Sequence, residues 1–298
     1  MARIGFFGLG AMGRPIASNL IATGNEVAVY DVSPAACASL ATAGARVGGT
    51  PADTARGCDF LITVLPTSVE VRQALCGPDG ALAAANHAAT CIDMTTGALA
   101  DFIRLREEAR ELGKTLIDSP IARGPDYAER RENLFLVGGD PAEIARIRPV
   151  LEPVCEEVIH CGPAGSALKT KIINNYLASV SVVANAEALA LANAAGLDRD
   201  FLRTLWKRTV AGRGALETVY PGKAFSGDYS PGFSARLARK DLKLAQELGE
   251  QYGVPLLTGA AAREMFTLQQ TQGRIDEDWT ALLDILERMA SGRSRSTS

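Results

Sequence analysis

A lysine and two asparagines recur at helical spacing near the middle of the chain. Lys171, Asn174 and Asn175 stand at positions i, i+3 and i+4, and Ala178 follows at i+7, so one helix face would carry all four. A lysine ammonium can protonate a developing alkoxide, while uncharged amides orient an oxygen without competing for that proton. The pattern therefore suits reduction of a carbonyl group. A solvated lysine, with asparagines bonded to their neighbours, is the alternative interpretation.

A second candidate site is a glycine-rich turn near the N-terminus, which reads Gly8-Leu9-Gly10-Ala11-Met12-Gly13. It follows a predicted strand and opens a predicted helix. In this arrangement the glycines permit a tight turn, close approach of the backbone to a pyrophosphate and close helix packing. The diphosphate would lie at the positive end of the helix. We therefore predict that the residues of this turn bind a dinucleotide.

Asp31 indicates which dinucleotide is bound. It lies at the end of the next predicted strand, and the residue after it is Val32, not an arginine. A carboxylate there accepts hydrogen bonds from ribose hydroxyls and repels a 2′-phosphate. We therefore predict NAD as cofactor, with NADH preferred over NADPH. An aspartate that only caps a helix or closes a turn is the alternative.

The elements that would position these residues alternate between strands and helices up to about residue 160. The predicted strands are 4–8, 26–31, 60–66, 90–94, 115–118, 134–137 and 158–160. Several are nearly continuous apolar runs, which is typical of parallel strands buried on both faces. The alternation predicts an α/β fold with a doubly wound Rossmann sheet. Because such sheets bind ligands at the carboxyl ends of their strands, we expect cofactor contacts at Leu65, Pro66 and Thr96.

The second half of the chain shows a helical pattern only. A stretch over 168–195, rich in alanine and leucine, ends at Gly196 and would be roughly 40 Å long. Further helices are predicted over 200–209, 234–252, 259–272 and 278–289. We predict an NAD-binding domain over 1–163, a long interdomain helix over 164–195, an all-helical C-terminal domain over 196–290 and a disordered tail over 291–298.

Composition limits the partners. The 298 residues carry a net charge of −3, which predicts no nucleic-acid partner. The only long apolar stretch is the alanine-rich helix, and it contains asparagine and glutamate, so we predict no membrane partner. The N-terminus runs directly into a strand, and we expect a cytoplasmic protein. Six scattered cysteines and two histidines predict free thiols and no metal site.

Five motifs in order along the chain resemble the β-hydroxyacid dehydrogenase family. They are Gly8–Gly13, Asp93-Met94-Thr95-Thr96, Asp118-Ser119-Pro120-Ile121-Ala122-Arg123-Gly124, the segment from Gly162 to Asn175, and Lys240-Asp241-Leu242. The resemblance covers residues 1–290. It implies an N-terminal Rossmann domain, a long interdomain helix and a helical C-terminal domain often used for dimerisation. A homodimer or homotetramer is therefore expected.

The resemblance also implies roles for individual residues. Lys171 corresponds to the catalytic lysine, with Asn175 beside it, and we expect Asn174 and Ala178 on the same face to contact the substrate. Cofactor contacts are implied at Thr96 and Lys240. One glycine of the family's helix-entry pattern is Ala167 in this chain, a mild departure that leaves the lysine in place.

A larger departure lies in the motif that binds the substrate's anionic group. Most family members read D-x-P-V-S-G-G there, whereas this chain has Ala122 and Arg123 before Gly124. A hydroxyl is lost and a guanidinium with five donors is gained, which suits a sulfonate or phosphate better than a carboxylate. We predict that these three residues hold the anion. The chain is similar in particular to members that reduce 3-sulfolactaldehyde to 2,3-dihydroxypropane-1-sulfonate, a reversible reaction.

Four alternatives stay open. Arg123 could point to solvent or pair with Asp126. Within the enzyme class, the substrate could be a carboxylate compound, such as 3-hydroxyisobutyrate or tartronate or succinate semialdehyde. Imine reduction suits the same architecture, although Lys171 argues against it because members with that activity usually lack the lysine. A catalytically silent NAD-binding module is the alternative from a different functional class.

Overall fold

The computed structural model describes residues 1–292, and the last part of the predicted tail, 293–298, lies outside the described residues. The strands are β1 (Arg3–Phe7), β2 (Glu26–Tyr30), β3 (Arg46–Val47), β4 (Phe60–Thr63), β5 (Thr90–Asp93), β6 (Thr115–Asp118), β7 (Ile121–Ala122), β8 (Leu134–Gly138) and β9 (Glu157–Gly162).

The helices of the first half are α1 (Gly13–Ala22), α2 (Pro34–Ala41), α3 (Pro51–Ala55), α4 (Ser68–Cys76), α5 (Ala81–Ala84), α6 (Leu99–Glu111), α7 (Pro125–Glu129) and α8 (Pro141–Leu151). Those of the second half are α9 (Ser166–Ala194), α10 (Arg199–Trp206), α11 (Val210–Arg213), α12 (Ala215–Thr218), α13 (Ala235–Tyr252), α14 (Leu257–Thr271) and α15 (Leu282–Ser291). The predicted α/β class, with a long helix and a helical C-terminal region, is confirmed.

The sheet has the order β3-β2-β1-β4-β5-β6-β8-β7, with β9 beside β8. The pairs from β3 to β6 are parallel, and β8 runs antiparallel to β6 and β7. Strands β2 and β3 lie on one side of β1, and the chain then crosses over to place β4 on the other side. The gap between the carboxyl ends of β1 and β4 is therefore the topological switch point, where doubly wound sheets bind ligands.

Both faces of the sheet are buried, which explains the apolar runs in the sequence. In β1, Ile4 and Phe6 belong to one hydrophobic cluster and Phe7 to a second on the opposite face, as the two-residue period of a strand requires. The second cluster also includes Leu168, near the start of α9. The helix that carries Lys171 thus begins as part of the core of the sheet domain.

Most predicted strands agree with the observed ones to within one or two residues, but two short strands were not predicted. β3 and β7 have two residues each, too few for a periodic pattern to show. Four strands end earlier than predicted, because Gly8, Asp31, Met94 and the segment 64–66 already belong to the loops at the switch-point edge.

The chain divides into two units, Met1–Tyr176 and Leu177–Ser298, and the predicted domain boundaries stay a prediction. In the second unit the Glu187 carboxylate accepts hydrogen bonds from the N–H groups of Thr258 (2.8 Å) and Gly259 (3.3 Å) at the start of α14. This carboxylate thus serves as a cap for α14. By length and composition alone, α9 is also apolar enough to cross a membrane.

Candidate active site

A cavity of about 1070 Å³ in the first unit brings the two candidate sites together. From the predicted cofactor site its lining contains Gly8, Gly10, Ala11, Met12, Gly13, Asp31, Leu65, Pro66 and Thr96. From the predicted substrate site it contains Arg123, Gly124, Lys171 and Asn175. The volume is large enough for a dinucleotide's reactive half together with a small substrate. Lys171 and Arg123 therefore line the same cavity as the glycine-rich turn.

The glycine-rich turn has the geometry of a diphosphate cradle. A β-carbon at Gly8, where φ is +94°, would lie 2.2 Å from the Val64 carbonyl oxygen, and one at Gly13 would lie 1.9 Å from the Gly8 carbonyl oxygen. A β-carbon at Gly10 would meet nothing within 4 Å, so that side of the turn is open to a ligand. Helix α1 starts at Gly13 with no side-chain cap. Apart from the Arg14 N–H, which donates to the Gly10 carbonyl oxygen at 3.0 Å, the N–H groups of its first turn are available to an anion. These residues fit a nicotinamide dinucleotide.

Asp31, the residue directly after β2, is hydrogen-bonded to this turn. Its Oδ2 accepts a hydrogen bond from the Leu9 N–H at 2.6 Å, and its Oδ1 accepts one from the Ser33 N–H at 2.8 Å. Each carboxylate oxygen has a second lone pair for another donor. Val32, which also lines the cavity, brings no positive charge. The arrangement can accept hydrogen bonds from ribose hydroxyls at this position.

A buried network beneath the cavity floor was not predicted from the sequence. Asp93 Oδ1 accepts bonds from the Thr63 hydroxyl (2.7 Å) and the Thr95 N–H (3.0 Å), and the Thr95 hydroxyl oxygen accepts one from the Leu65 N–H (3.0 Å). Burial raises the pKa of Asp93 to about 6, although these hydrogen bonds oppose the shift. The network joins the loops after β4 and β5. It therefore fixes the positions of Leu65 and of Thr95, the residue directly before Thr96. Leu65 and Thr96 are predicted cofactor contacts.

Lys171 lies on the second turn of α9 and is half-buried. Desolvation by burial lowers its pKa below the ordinary lysine value, which makes the ammonium a stronger acid at neutral pH. Asn175 lines the cavity one helical turn further on. Asn174 donates a hydrogen bond from Nδ2 to Asn175 Oδ1 at 3.3 Å but is not part of the lining. The helix face thus presents a lysine and one amide to the cavity.

Arg123 occupies an unusual backbone conformation at the cavity wall. Its φ is +72°, a left-handed value that favours glycine. The guanidinium donates to the Glu132 carbonyl oxygen and to the Glu156 carboxylate, with Nη2 3.2 Å from Glu156 Oε1. It also lies over the Tyr127 ring, 5.3 Å from the centroid. The hydrogen bond to Glu156 raises the pKa of Arg123 further, so the side chain stays a cation.

The observed partner of Arg123 differs from the one considered from the sequence. Asp126 pairs with Arg130 at 3.9 Å instead, and Glu156 lies just before β9, where no local pattern connects it to Arg123. Sequence inspection therefore could not have found this pair. Arg123 nevertheless lines the cavity, with Glu156 and Tyr127 fixing its side chain.

The remaining predicted site residues lie outside this lining. Ala122 is the last residue of β7, directly before Arg123. Ala178 and Lys240 belong to the second unit, and Lys240 pairs there with Asp241 at 2.9 Å. Their predicted roles stay predictions. Within residues 1–292, no cluster of three histidine, cysteine, aspartate or glutamate side chains is arranged to hold a metal ion.

Seven further lining residues in or next to the short helices α3 and α4 carry no motif and were not predicted. They are Thr50, Pro51, Glu70, Gln73, Ala74, Pro78 and Asp79. The Thr50 hydroxyl accepts a hydrogen bond from the Asp53 N–H at 3.1 Å and so starts α3. Such a cap can be recognised in a sequence, but its place beside the glycine turn follows only from the folded chain.

Comparison with known proteins places the chain in a family. Residues 3–162 match the model described as the NAD binding domain of 6-phosphogluconate dehydrogenase. Residues 165–286 match the model described as NAD-binding of NADP-dependent 3-hydroxyisobutyrate dehydrogenase. The boundary between the two matched segments lies between the end of β9 and the start of α9.

Individual relatives agree with these models. The chain is 36% identical to 3-sulfolactaldehyde reductase of Escherichia coli (strain K12) over 284 residues, 95% of each protein. It is 32% identical to NAD-dependent L-serine dehydrogenase of Pseudomonas aeruginosa, covering 96% of this chain and 98% of that one. Among solved structures, 3-hydroxyisobutyrate dehydrogenase of Mycobacterium tuberculosis with L-serine matches with a TM-score of 0.67 and 33% identity, over 96% of this chain and 99% of that one.

The family models together span both halves of the chain, and relatives above 30% identity cover almost all of it. The cavity is lined by residues of the glycine-rich turn, by Lys171, and by Arg123 and Gly124, which all belong to the motifs that carry the resemblance. The chain belongs to the β-hydroxyacid dehydrogenase family and is a nicotinamide-dependent oxidoreductase acting on CH–OH groups.

Proposed function

We propose that the enzyme reversibly reduces a small anionic aldehyde with NADH, and that this substrate is 3-sulfolactaldehyde, giving 2,3-dihydroxypropane-1-sulfonate. The observation that carries the proposal is that Arg123 and Lys171 line one cavity with the glycine-rich turn. When bound, the cofactor supplies the hydride. The similarity to 3-sulfolactaldehyde reductase supports the choice of a sulfonate.

In this proposal Lys171 is the general acid. Its ammonium donates a proton to the carbonyl oxygen as the aldehyde is reduced, and it regains a proton from water. One aldehyde, one NADH and one proton thus give one alcohol and one NAD⁺. Burial lowers the pKa of Lys171, which brings proton donation closer to the pH at which general acids are most effective. Asn175 orients the substrate oxygen without competing for the proton.

Arg123 and Gly124 would hold the sulfonate at the other side of the cavity. A guanidinium offers several parallel donors to a group with three oxygens. Holding the anion fixes the aldehyde relative to the lysine and the cofactor. Anion binding is therefore expected to increase the rate as well as the affinity.

The proposed preference for NADH is supported by Asp31. Asp31 lines the cavity, and the neighbouring Val32 is 89% exposed and uncharged. A 2′-phosphate at this position would meet one negative charge and no adjacent positive one. The relative named as an NAD-dependent dehydrogenase supports the same choice.

The test compares Arg123→Ala with Arg130→Ala on a sulfonate aldehyde and on an uncharged aldehyde of similar size. Arg130 contacts the same Tyr127 ring, 5.0 Å from the centroid, but is not part of the cavity lining. We expect Arg123→Ala to lose about tenfold to a hundredfold in kcat/KM with the sulfonate only, and Arg130→Ala to stay near wild type with both. Equal losses on the two aldehydes would contradict the proposal. Tight NADH binding without turnover of any aldehyde would support a silent NAD-binding module.

A carboxylate semialdehyde is the second candidate substrate. It is favoured by the relatives named 3-hydroxyisobutyrate dehydrogenase and L-serine dehydrogenase, and by the pairing of Arg123 with Glu156, which leaves fewer donors for a third anion oxygen. Parallel measurements of kcat/KM for sulfonate, phosphate and carboxylate aldehydes distinguish the two. A clear preference for a carboxylate would replace the sulfonate proposal.

We further propose that the enzyme is a homo-oligomer. Leu177 and Val182 on α9 are 56% and 67% exposed in the single chain, and exposed apolar surface of this kind is typical of an interface. A second copy, and not a bilayer or a nucleic acid, is the proposed partner. Sedimentation should give a dimer or tetramer for the wild type and smaller species for Val182→Lys. A monomeric wild type that binds lipid vesicles would contradict the proposal.

A cytoplasmic location is proposed from the thiols. The structure describes six free cysteines, three of them buried, as is typical of proteins from reducing compartments. Fractionation of the source cells tests this directly, and recovery in an oxidising compartment would contradict it.

A further inference from the structure

The Asp118 carboxylate at the end of β6 is fully buried. It opens the motif that contains Arg123, but no role of its own has been assigned to it so far. Its Oδ1 accepts a hydrogen bond from the Gly165 N–H at 2.8 Å, and its Oδ2 accepts one from the Leu168 N–H at 2.9 Å. Both donors belong to the first turn of α9 and the residue before it. The carboxylate therefore satisfies two of the N–H groups that a helix start leaves without partners inside the helix.

The surroundings of Asp118 leave little freedom for either partner. A β-carbon at Gly138, its neighbour on β8, would lie 2.5 Å from Asp118 Oδ1. Gly165 has a φ of +87°, and a β-carbon there would lie 2.8 Å from Leu99 Cδ1. Burial raises the pKa of Asp118, while the hydrogen bonds from Gly165 and Leu168 oppose that shift. The carboxylate is thus enclosed between the sheet and the start of the helix.

Lys171 is three residues after Leu168, which places the two on the same side of α9, one turn apart. Leu168 is fixed twice, because its N–H bonds to Asp118 and its side chain is buried in the sheet's second hydrophobic cluster. The loop after Asp118 leads in the other direction, through β7, to Arg123. Asp118 is therefore the point at which the lysine-bearing helix and the anion-binding loop are joined.

We propose that Asp118 is a positioning residue, whose carboxylate fixes the start of α9 on β6 and thereby sets the place of Lys171 relative to Arg123. The inference rests on the proposed role of Lys171. Because a misplacement of about 1 Å can reduce a rate about a hundredfold, loss of this fixed point should reduce kcat. It should leave the cofactor cradle, at β1 and β4, intact.

The test is Asp118→Asn, which keeps the shape but replaces one acceptor with an NH₂ donor. We expect kcat to fall about tenfold to a hundredfold, with the aldehyde KM and the NADH dissociation constant within about threefold of wild type. Amide hydrogen exchange should rise in the peptide that contains residues 165–171 and remain unchanged in β1. Gly138→Ala, which displaces the carboxylate without removing it, should give the same signature.

Asp198→Asn is the matched control, because Asp198 caps α10 through the Phe201 N–H at 2.7 Å and lies in the second unit. We expect it to leave kcat unchanged. Normal kcat and unchanged exchange at 165–171 in Asp118→Asn would overturn the proposal, as would increased exchange throughout the sheet. Lys171→Ala, measured in parallel, separates the two hypotheses. If it kept wild-type turnover, the role of Lys171 would fail, even if Asp118→Asn loosened α9.

Discussion

The Asp31 carboxylate accepts a hydrogen bond from the Leu9 N–H across 2.6 Å, so the residue proposed to select the cofactor also fixes the turn proposed to bind its diphosphate. These two functions can be separated by mutation. Asparagine keeps a side-chain oxygen for the Leu9 N–H but removes the negative charge. Alanine removes both.

We predict that Asp31→Asn raises the ratio of NADPH to NADH utilisation, in kcat/KM, by about tenfold, the effect of roughly 1.4 kcal/mol of lost repulsion. Asp31→Ala should also weaken the binding of both cofactors, because the turn loses its tether. Steady-state kinetics with both cofactors provides the measurement. An unchanged ratio in Asp31→Asn would show that the carboxylate does not face the 2′ position.

The glycines of the turn should respond differently to alanine. Gly13→Ala would place a β-carbon 1.9 Å from the Gly8 carbonyl oxygen, whereas Gly10→Ala meets no protein atom within 4 Å. We therefore expect Gly13→Ala to lower the melting temperature of the cofactor-free protein. Gly10→Ala should melt like the wild type but bind NADH about tenfold or more weakly, because the methyl group occupies the ligand's space. Normal NADH binding by Gly10→Ala would contradict the proposed cradle.

We predict that the rates of reduction and of oxidation depend on pH in opposite ways, because Lys171 takes part in both directions. Its pKa is lowered by burial, and reduction needs the ammonium whereas oxidation needs the neutral amine. The rate of reduction should therefore fall as pH rises through this pKa, and the rate of oxidation should rise, with a midpoint below that of an exposed lysine. Profiles of kcat/KM in both directions measure it. Lys171→Arg is the control, since a guanidinium stays protonated and should abolish the shared midpoint.

The left-handed backbone at Arg123 can be tested separately from its charge. Glycine tolerates a φ of +72° without a β-carbon clash, so Arg123→Gly should be about 1 kcal/mol more stable than Arg123→Ala. Both variants should lose the same preference for the sulfonate substrate, because neither has a guanidinium. Thermal melts and paired kinetics check the two statements. Equal stability of the two variants would mean that the conformation at 123 differs from the one described.

Asp93 should make stability depend on pH. Its pKa in the folded chain is raised to about 6 by burial, so its contribution to stability is fully present below the ordinary aspartate pKa and is lost as pH rises through about 6. Between about pH 4 and pH 7, wild type should lose up to roughly 3 kcal/mol relative to Asp93→Asn. Melting temperatures of both proteins across this range provide the measurement. A constant difference between them would contradict the prediction.

The sequence predicted those features that depend on local patterns. Apolar runs located seven of the strands, and glycine spacing located the turn that lines the cavity, because both reflect short-range geometry. The two-residue strands β3 and β7 were missed, since two residues show no period. Glu156 and the Asp93 network were missed for another reason. Their partners are distant in sequence and meet only when strands and loops pack, so no spacing connects Glu156 with Arg123 or Asp93 with Thr63.

The close approach of Gly138 to Asp118 has a consequence for redesign of the enzyme. A library that varies position 138 alone would return almost only glycine, and one that varies 118 alone would recover few active clones. The two positions are interdependent and should be randomised together, with a smaller acceptor such as serine at 118 allowing alanine at 138. We expect such a pair of substitutions to shift the first turn of α9, and with it Lys171, by a small distance.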